Sequence, residues 1–175
     1  LWLRAQTDDI RGLLTELREA RLFVNTSASI DGAIRAENPR VNLYEVEAYR
    51  QGRCEVQDLA SQCIGLACNA KPGERWWDVC AGAGGKTLQL GRMMNSKGVV
   101  VATDIRAWKL QDLKRRARRA GLSNVSPREW DGSTLPAREA NFDGVLVDAP
   151  CTCTGVWRRN PDARWTTKQE DIHEM

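Results

Sequence analysis

Histidine is nearly absent from this chain: 175 residues contain one, His173. No two cysteines form a C-x-x-C pair, so with a single imidazole there is no ligand set for a structural zinc, and no metal centre is expected. Phe and Tyr are sparse, two of each, so the seven Trp must supply the aromatic bulk of any core. No apolar run reaches the length of a membrane span. The opening LWLRAQTDD lacks a basic stretch followed by an apolar core, so no secretion signal is expected. Without an initiator Met, the chain is expected to begin inside a longer protein. Six cysteines outside a secretory context read as reduced thiols of a cytoplasmic protein, with Cys54, Cys63 and Cys68 as small buried hydrophobes. A net charge of +3 favours an anionic partner only mildly.

What is present is organised around residues 75–87, RWWDVCAGAGGKT. Trp76, Trp77 and Val79 suit a buried strand, and Gly82, Gly84 and Gly85 suit a tight turn that opens a helix. Upstream, residues 1–6 alternate like a short strand, and Ile10, Leu13, Leu14 and Leu17 repeat at helical spacing. Residues 22–45 read as short strands and turns, and 46–51 as one or two helical turns closed by Gly52. Residues 1–52 are thus expected to form a small α+β appendage facing RNA, with 53–175 the start of the main domain. In that domain the pattern predicts a helix over 57–70, strands ending at Asp78, Asp104, Asp131 and Asp148, and a helix over 107–120. Such alternation implies a parallel, doubly wound α/β sheet, whose strand ends line the crevice where ligands bind.

Asp104 follows the last glycine by about twenty residues, the spacing at which a carboxylate meets a ribose diol. A nucleoside-containing cofactor is therefore expected. A P-loop would need glycine at Cys80, and a dinucleotide fingerprint would need it at Thr87; both patterns miss. An acidic residue four before G-x-G fits a cofactor without pyrophosphate, such as S-adenosylmethionine. The second constellation is Asp148-Ala-Pro-Cys151. Methylation of cytosine at C5 requires a thiolate that adds at C6, because C5 is otherwise a poor nucleophile. An acid near N3, the place of Asp148, assists that addition.

The segments VQDLASQ (56–62), PGERWWDVCAGAGGKT (72–87), ATDI (102–105), DG (131–132), DGVLVDAPC (143–151) and TGVWRRNPDARW (154–165), in this order, resemble the RNA cytosine-C5 methyltransferases. That group includes the bacterial 16S ribosomal-RNA enzymes and the eukaryotic NOP2/NSUN proteins. The resemblance implies a Rossmann-like methyltransferase sheet. It implies S-adenosylmethionine contacts from Cys80, Ala81, Gly82, Ala83, Gly84, Gly85 and Lys86, and from Asp104, Asp131 and Asp148. It implies RNA as the partner, ribosomal RNA before transfer RNA, with a cytoplasmic location, or nucleolar in a eukaryote. It also reassigns Cys151. In this family the nucleophile is a cysteine of a later motif, expected beyond Met175, and the cysteine matching Cys151 assists product release. The last sheet strands are expected there too. Gly82-Ala83 stands where relatives carry alanine-proline, and Cys153 is a second thiol without an assigned role.

The RNA side offers Arg158 and Arg159 beside the catalytic loop. Lys109, Lys114, Arg115, Arg116, Arg118 and Arg119 make one helix face basic, either as a solvated surface or as a phosphate contact. Trp157 and Trp165 either stack on bases or pack. Other classes stay open: a non-catalytic RNA-binding or assembly factor on the same fold, a DNA cytosine-C5 methyltransferase, and an NAD(P)-linked oxidoreductase. The expectation for these 175 residues is cofactor binding without turnover. Incubation with RNA and methyl-labelled S-adenosylmethionine should leave the RNA unlabelled, and robust incorporation would overturn that expectation.

Overall fold

The computed structural model describes residues 1–38, 40–133, 141–151, 155, 157, 160–166 and 168. The N-terminal unit comprises β1 (Trp2–Ala5), α1 (Ile10–Glu19), β2 (Phe23–Thr26), β3 (Ala33–Glu37), a 3-10 turn (Leu43–Glu45), α2 (Glu47–Arg50) and β4 (Cys54–Val56). Its strands pair antiparallel in the order β2-β3-β1-β4. The amide of Gly12 donates to the Asp9 carboxylate at 2.9 Å and starts α1, and Leu13 and Leu17 pack under Leu3 and Ile34. Because β4 pairs with β1, this sheet runs past the boundary expected at residue 52.

The second unit continues with α3 (Leu59–Cys68), β5 (Arg75–Asp78), α4 (Gly85–Met93), β6 (Val99–Asp104), α5 (Ala107–Arg119), β7 (Val125–Glu129), β8 (Gly144–Leu146) and the short α6 (Ala163–Thr166). Its strands are all parallel, in the order β7-β6-β5-β8, which is the mixed α/β architecture with a parallel sheet that strand–helix alternation implies. Pro127 lies on β7, an edge strand, where a missing N–H costs no ladder bond.

Strand β5 is covered on both faces. Trp76 packs with Leu90, Met94 and Val100, while Trp77 packs with Val79 and Val101 beside Trp130 and Phe142. Both indoles have partners, Trp76 on the Glu74 carboxylate at 2.8 Å and Trp77 on the Thr103 hydroxyl at 2.9 Å. On α5, Leu110, Leu113 and Ala117 are buried as the helical period predicts. Cys54 is buried, Cys68 half-buried and Cys63 exposed, so burial holds for the first and fails for Cys63, on the outer side of α3. Among the described residues no helix is long and apolar enough to cross a membrane.

One glycine locks the two units together. Gly52 has φ +71°, and a Cβ there would lie 2.2 Å from the Arg119 carbonyl oxygen at the end of α5. Gly73 has φ +94°, with nothing within 4 Å of the same atom. Gly73→Ala should therefore carry only the left-handed strain of about 1–2 kcal/mol. Gly52→Ala should add an overpacking cost of about 1–3 kcal/mol. Urea denaturation of both variants checks the order; equal midpoints would contradict it.

Candidate active site

The chain leaves β5 at Asp78 and turns over the end of β6. The Ala81 amide donates to the Thr103 carbonyl at 2.8 Å, and the Gly82 amide to the Asp104 carboxylate at 2.9 Å. The Gly84 amide closes the turn on the Ala81 carbonyl at 2.9 Å. Gly84 then caps α4 at φ +87°, a left-handed position suited to glycine, with Leu113 and Leu88 pressed against it. The first turn of α4 thus opens beside the strand ends, with its amides presented to the crevice.

Three carboxylates meet here, and the structure treats each differently. Asp78 is 1% exposed. The Thr87 hydroxyl donates to its Oδ2 at 2.6 Å, while Oδ1 has no hydrogen-bond partner among the described residues. Burial pushes its pKa up to about 6, with Thr87 and Lys86 pulling it down and Asp148 and Asp104 adding to the rise. Asp104 is buried too, and burial works against its charge. The Arg106 side chain and amide, with the Gly82 amide, outweigh burial and hold its pKa below the usual carboxylate range. Asp148 is half-exposed and receives the Lys86 ammonium at 2.6 Å. Cys80 sits in the turn, its thiol pushed up by burial and then by Asp104 and Asp78, so it stays protonated at neutral pH.

Of the residues singled out in the sequence, the structure links Gly82 to Asp104 and Lys86 to Asp148, and places Asp78 under the same turn. Strand β7 stops at Glu129, which stands opposite Asp104, so Asp131 lies past the strand end. Asp131 is exposed, and its Oδ1 accepts from the Ser133 amide at 2.9 Å. Cys151 is an exposed free thiol directly after Pro150. Cys153, Arg158 and Arg159 lie outside the described residues, whereas Trp165 is described and 82% exposed.

Three residues escaped the sequence reading. Arg106 forms a two-pronged pair with Asp104. Glu55 is buried and pairs with Arg116 and Arg119, so two cations of the basic α5 face are engaged within the protein. Arg4 reaches the Gly85 carbonyl from β1. Nothing local marks Glu55 or Arg4, since polar residues on short strands ordinarily read as exposed.

A model of the family described as 16S rRNA methyltransferase RsmB/F matches residues 65–175. The ribosomal RNA small subunit methyltransferase B of Salmonella paratyphi B is 32% identical, an alignment covering 100% of this chain and 41% of that protein. The probable ribosomal RNA small subunit methyltransferase B of Bacillus subtilis is 35% identical, over 70% of this chain and 28% of the relative. Among solved structures, the crystal structure of PH0851 is 31% identical with a TM-score of 0.93, covering 99% of this chain and 40% of that one. The chain therefore spans less than half the length of these three proteins.

Asp78 makes a stability prediction. Its pKa in the folded state, about 6, exceeds the ordinary carboxyl value of 3.8, so the folded state binds the proton more tightly. Stability should fall as pH rises from about 4 to 6 and level off above, by about 3 kcal/mol in all. Asp78→Asn keeps an acceptor for Thr87 and removes the charge. It should flatten that slope and raise the thermal midpoint at pH 7. A less stable variant with the slope intact would refute the assignment.

Proposed function

The chain belongs to the 16S rRNA methyltransferase RsmB/F family, and on that footing we propose that it carries the cofactor half of a site that transfers a methyl group from S-adenosylmethionine to C5 of a cytosine in RNA. The observation that carries this reading is the buried Asp78 Oδ1, which has no hydrogen-bond partner among the described residues. A carboxylate kept in that state at a cost is suited to a cationic ligand, and the amino group of S-adenosylmethionine is one. The donor set fits the rest of that molecule as well. The Asp104 carboxylate accepts hydrogen bonds from two sides already, and Arg106, which supplies one of them, is half-exposed and free to yield to a ribose diol. The turn 80–86 brings backbone close without side-chain bulk, since nothing lies within 4 Å of a Cβ built at Gly82 or Gly85.

When bound, the cofactor supplies an electrophilic methyl group on a sulfonium. The remaining work belongs to the chain. Asp148, paired with Lys86, is proposed to face cytosine N3 and to assist addition at C6 through a hydrogen bond there. Cys151 takes the release-assisting part, and Arg158 and Arg159 are proposed contacts to the RNA. Asp131 is proposed to reach the cofactor from the loop after β7. The N-terminal unit is proposed to face the RNA, and ribosomal RNA is the favoured substrate because the relatives are named for it. The proposed setting is cytoplasmic, or nucleolar in a eukaryote.

Calorimetry with S-adenosylhomocysteine tests the reading. Binding should weaken about tenfold per pH unit below about pH 6, because the ammonium requires ionised Asp78. Asp78→Asn should bind weakly at every pH, and Asp104→Ala should lose about tenfold or more. NADH binding in place of S-adenosylhomocysteine would replace this reading with the oxidoreductase one.

A further inference from the structure

The glycine turn is held by an arginine that pairs with the N-terminal sheet. Arg116 of α5 donates to the Ala83 carbonyl at 2.8 Å through Nη1. The same guanidinium meets the Glu55 carboxylate at 3.2 Å through Nε and 2.9 Å through Nη2. Glu55, on β4 of the N-terminal sheet, is 1% exposed and is shared with Arg119 at 2.5 Å. Arg119 in turn lies over the Tyr49 ring, 4.1 Å from its centroid, and makes no bond to the turn. The two arginines therefore share one carboxylate, and only Arg116 passes its position on to the turn.

The turn needs such a restraint. Gly82 and Gly84 both have positive φ, and Gly85 follows, so the peptide planes between them have little steric resistance to rotation. Amide-side bonds fix Ala81, Gly82 and Gly84, whereas among the described residues the Ala83 carbonyl is bonded by Arg116 alone. A peptide unit is planar, so the Arg116 bond on this carbonyl and the Ala81 bond on the Gly84 amide hold one plane from its two edges, at the entry of the chain into α4. A buried carboxylate with two guanidinia is also a poor way to gain stability over an apolar packing of equal volume, and such groups serve better to specify one arrangement.

We propose that Glu55 and Arg116 are positioning residues for the cofactor turn, so that the N-terminal sheet sets the affinity of the site through one ion pair. This rests on the cofactor reading above. Each arm of the test is measured in the 175-residue chain. Arg116→Lys keeps the charge beside Glu55 but no longer reaches carboxylate and carbonyl together. It should bind S-adenosylhomocysteine about tenfold more weakly and show faster amide exchange over residues 82–87 in the ligand-free protein. Arg119→Lys is the control. It disturbs the same carboxylate and should lower the thermal midpoint comparably, with affinity within about twofold and exchange of the turn unchanged. If Arg116→Lys does not fold, Arg116→Gln, which leaves Glu55 paired with Arg119, is read against the same control. Equal losses of affinity in the two variants, or unaltered exchange in the Arg116 variant, overturn the proposal. A wild-type chain that binds no S-adenosylhomocysteine overturns the cofactor reading and this inference with it.

Discussion

The parallel pairing of β5 with its two neighbours is the constraint on which the site depends. Asp78 stands opposite Ala102 of β6 and Leu146 of β8, so β5 ends flush with β8 while β6 runs on through Thr103 to Asp104. That overhang gives the emerging chain something to bond to. The turn after β5 climbs over it, placing one amide on the Thr103 carbonyl and another on the Asp104 side chain. Shortening β6 would remove both acceptors, and the glycines would then have no reason to adopt one conformation among the many open to them. The register thus decides where the turn goes, and the turn decides where α4 begins.

Placing carboxylates at neighbouring strand ends creates a repulsion that the structure resolves unevenly. Asp104 is compensated by a guanidinium and two amides, and Asp148 by an ammonium. Among the described residues Asp78 receives one hydroxyl and nothing more, though it is the most deeply placed of the three. Folding alone would not favour that arrangement, since an asparagine or a leucine would fill the same volume at lower cost. A buried charge with a vacant acceptor atom is what a binding site for a cation retains. The unevenness is itself informative, because a purely structural network satisfies its members more equally.

The strongly patterned parts of this fold were legible in the chain. Strand β5, the glycine turn and α5 with Leu110, Leu113 and Ala117 follow from periodicity and motif spacing, and the family from the resemblance of the ordered segments. What escaped has a common cause. Strand β4 is three residues long with a glutamate at its centre, a pattern that no period distinguishes from a loop. Arg116 and Arg119 look like any solvated helix face until Glu55, 61 and 64 residues away in sequence, is brought beneath them. Asp131 was expected at a strand end, yet β7 stops at Glu129, where its partner β6 ends at Asp104. Local propensity carries no information about pairing partners, and each of these cases depends on one.

The contact between the two sheets explains why a boundary at residue 52 does not separate them. Arg4, 6% exposed, donates to Gln57 at 2.5 Å and to Gln6 at 2.6 Å. Gln57 passes the chain of bonds to Gln89 of α4, which donates to the Gln62 carbonyl, and the Gln62 amide returns to the Leu3 carbonyl of β1. Burial lowers the Arg4 pKa to about 10, so the guanidinium remains charged and needs these acceptors. Cut between the sheets, each half would expose or orphan a set of polar groups that has no partners of its own. An apolar interface would tolerate sliding, because dispersion contacts are interchangeable; this one resists it, because a shift would part buried donors from their acceptors. The N-terminal sheet is therefore part of the framework that holds the strand ends of the second sheet in place, and β4, the strand nearest the cut, is where the two meet.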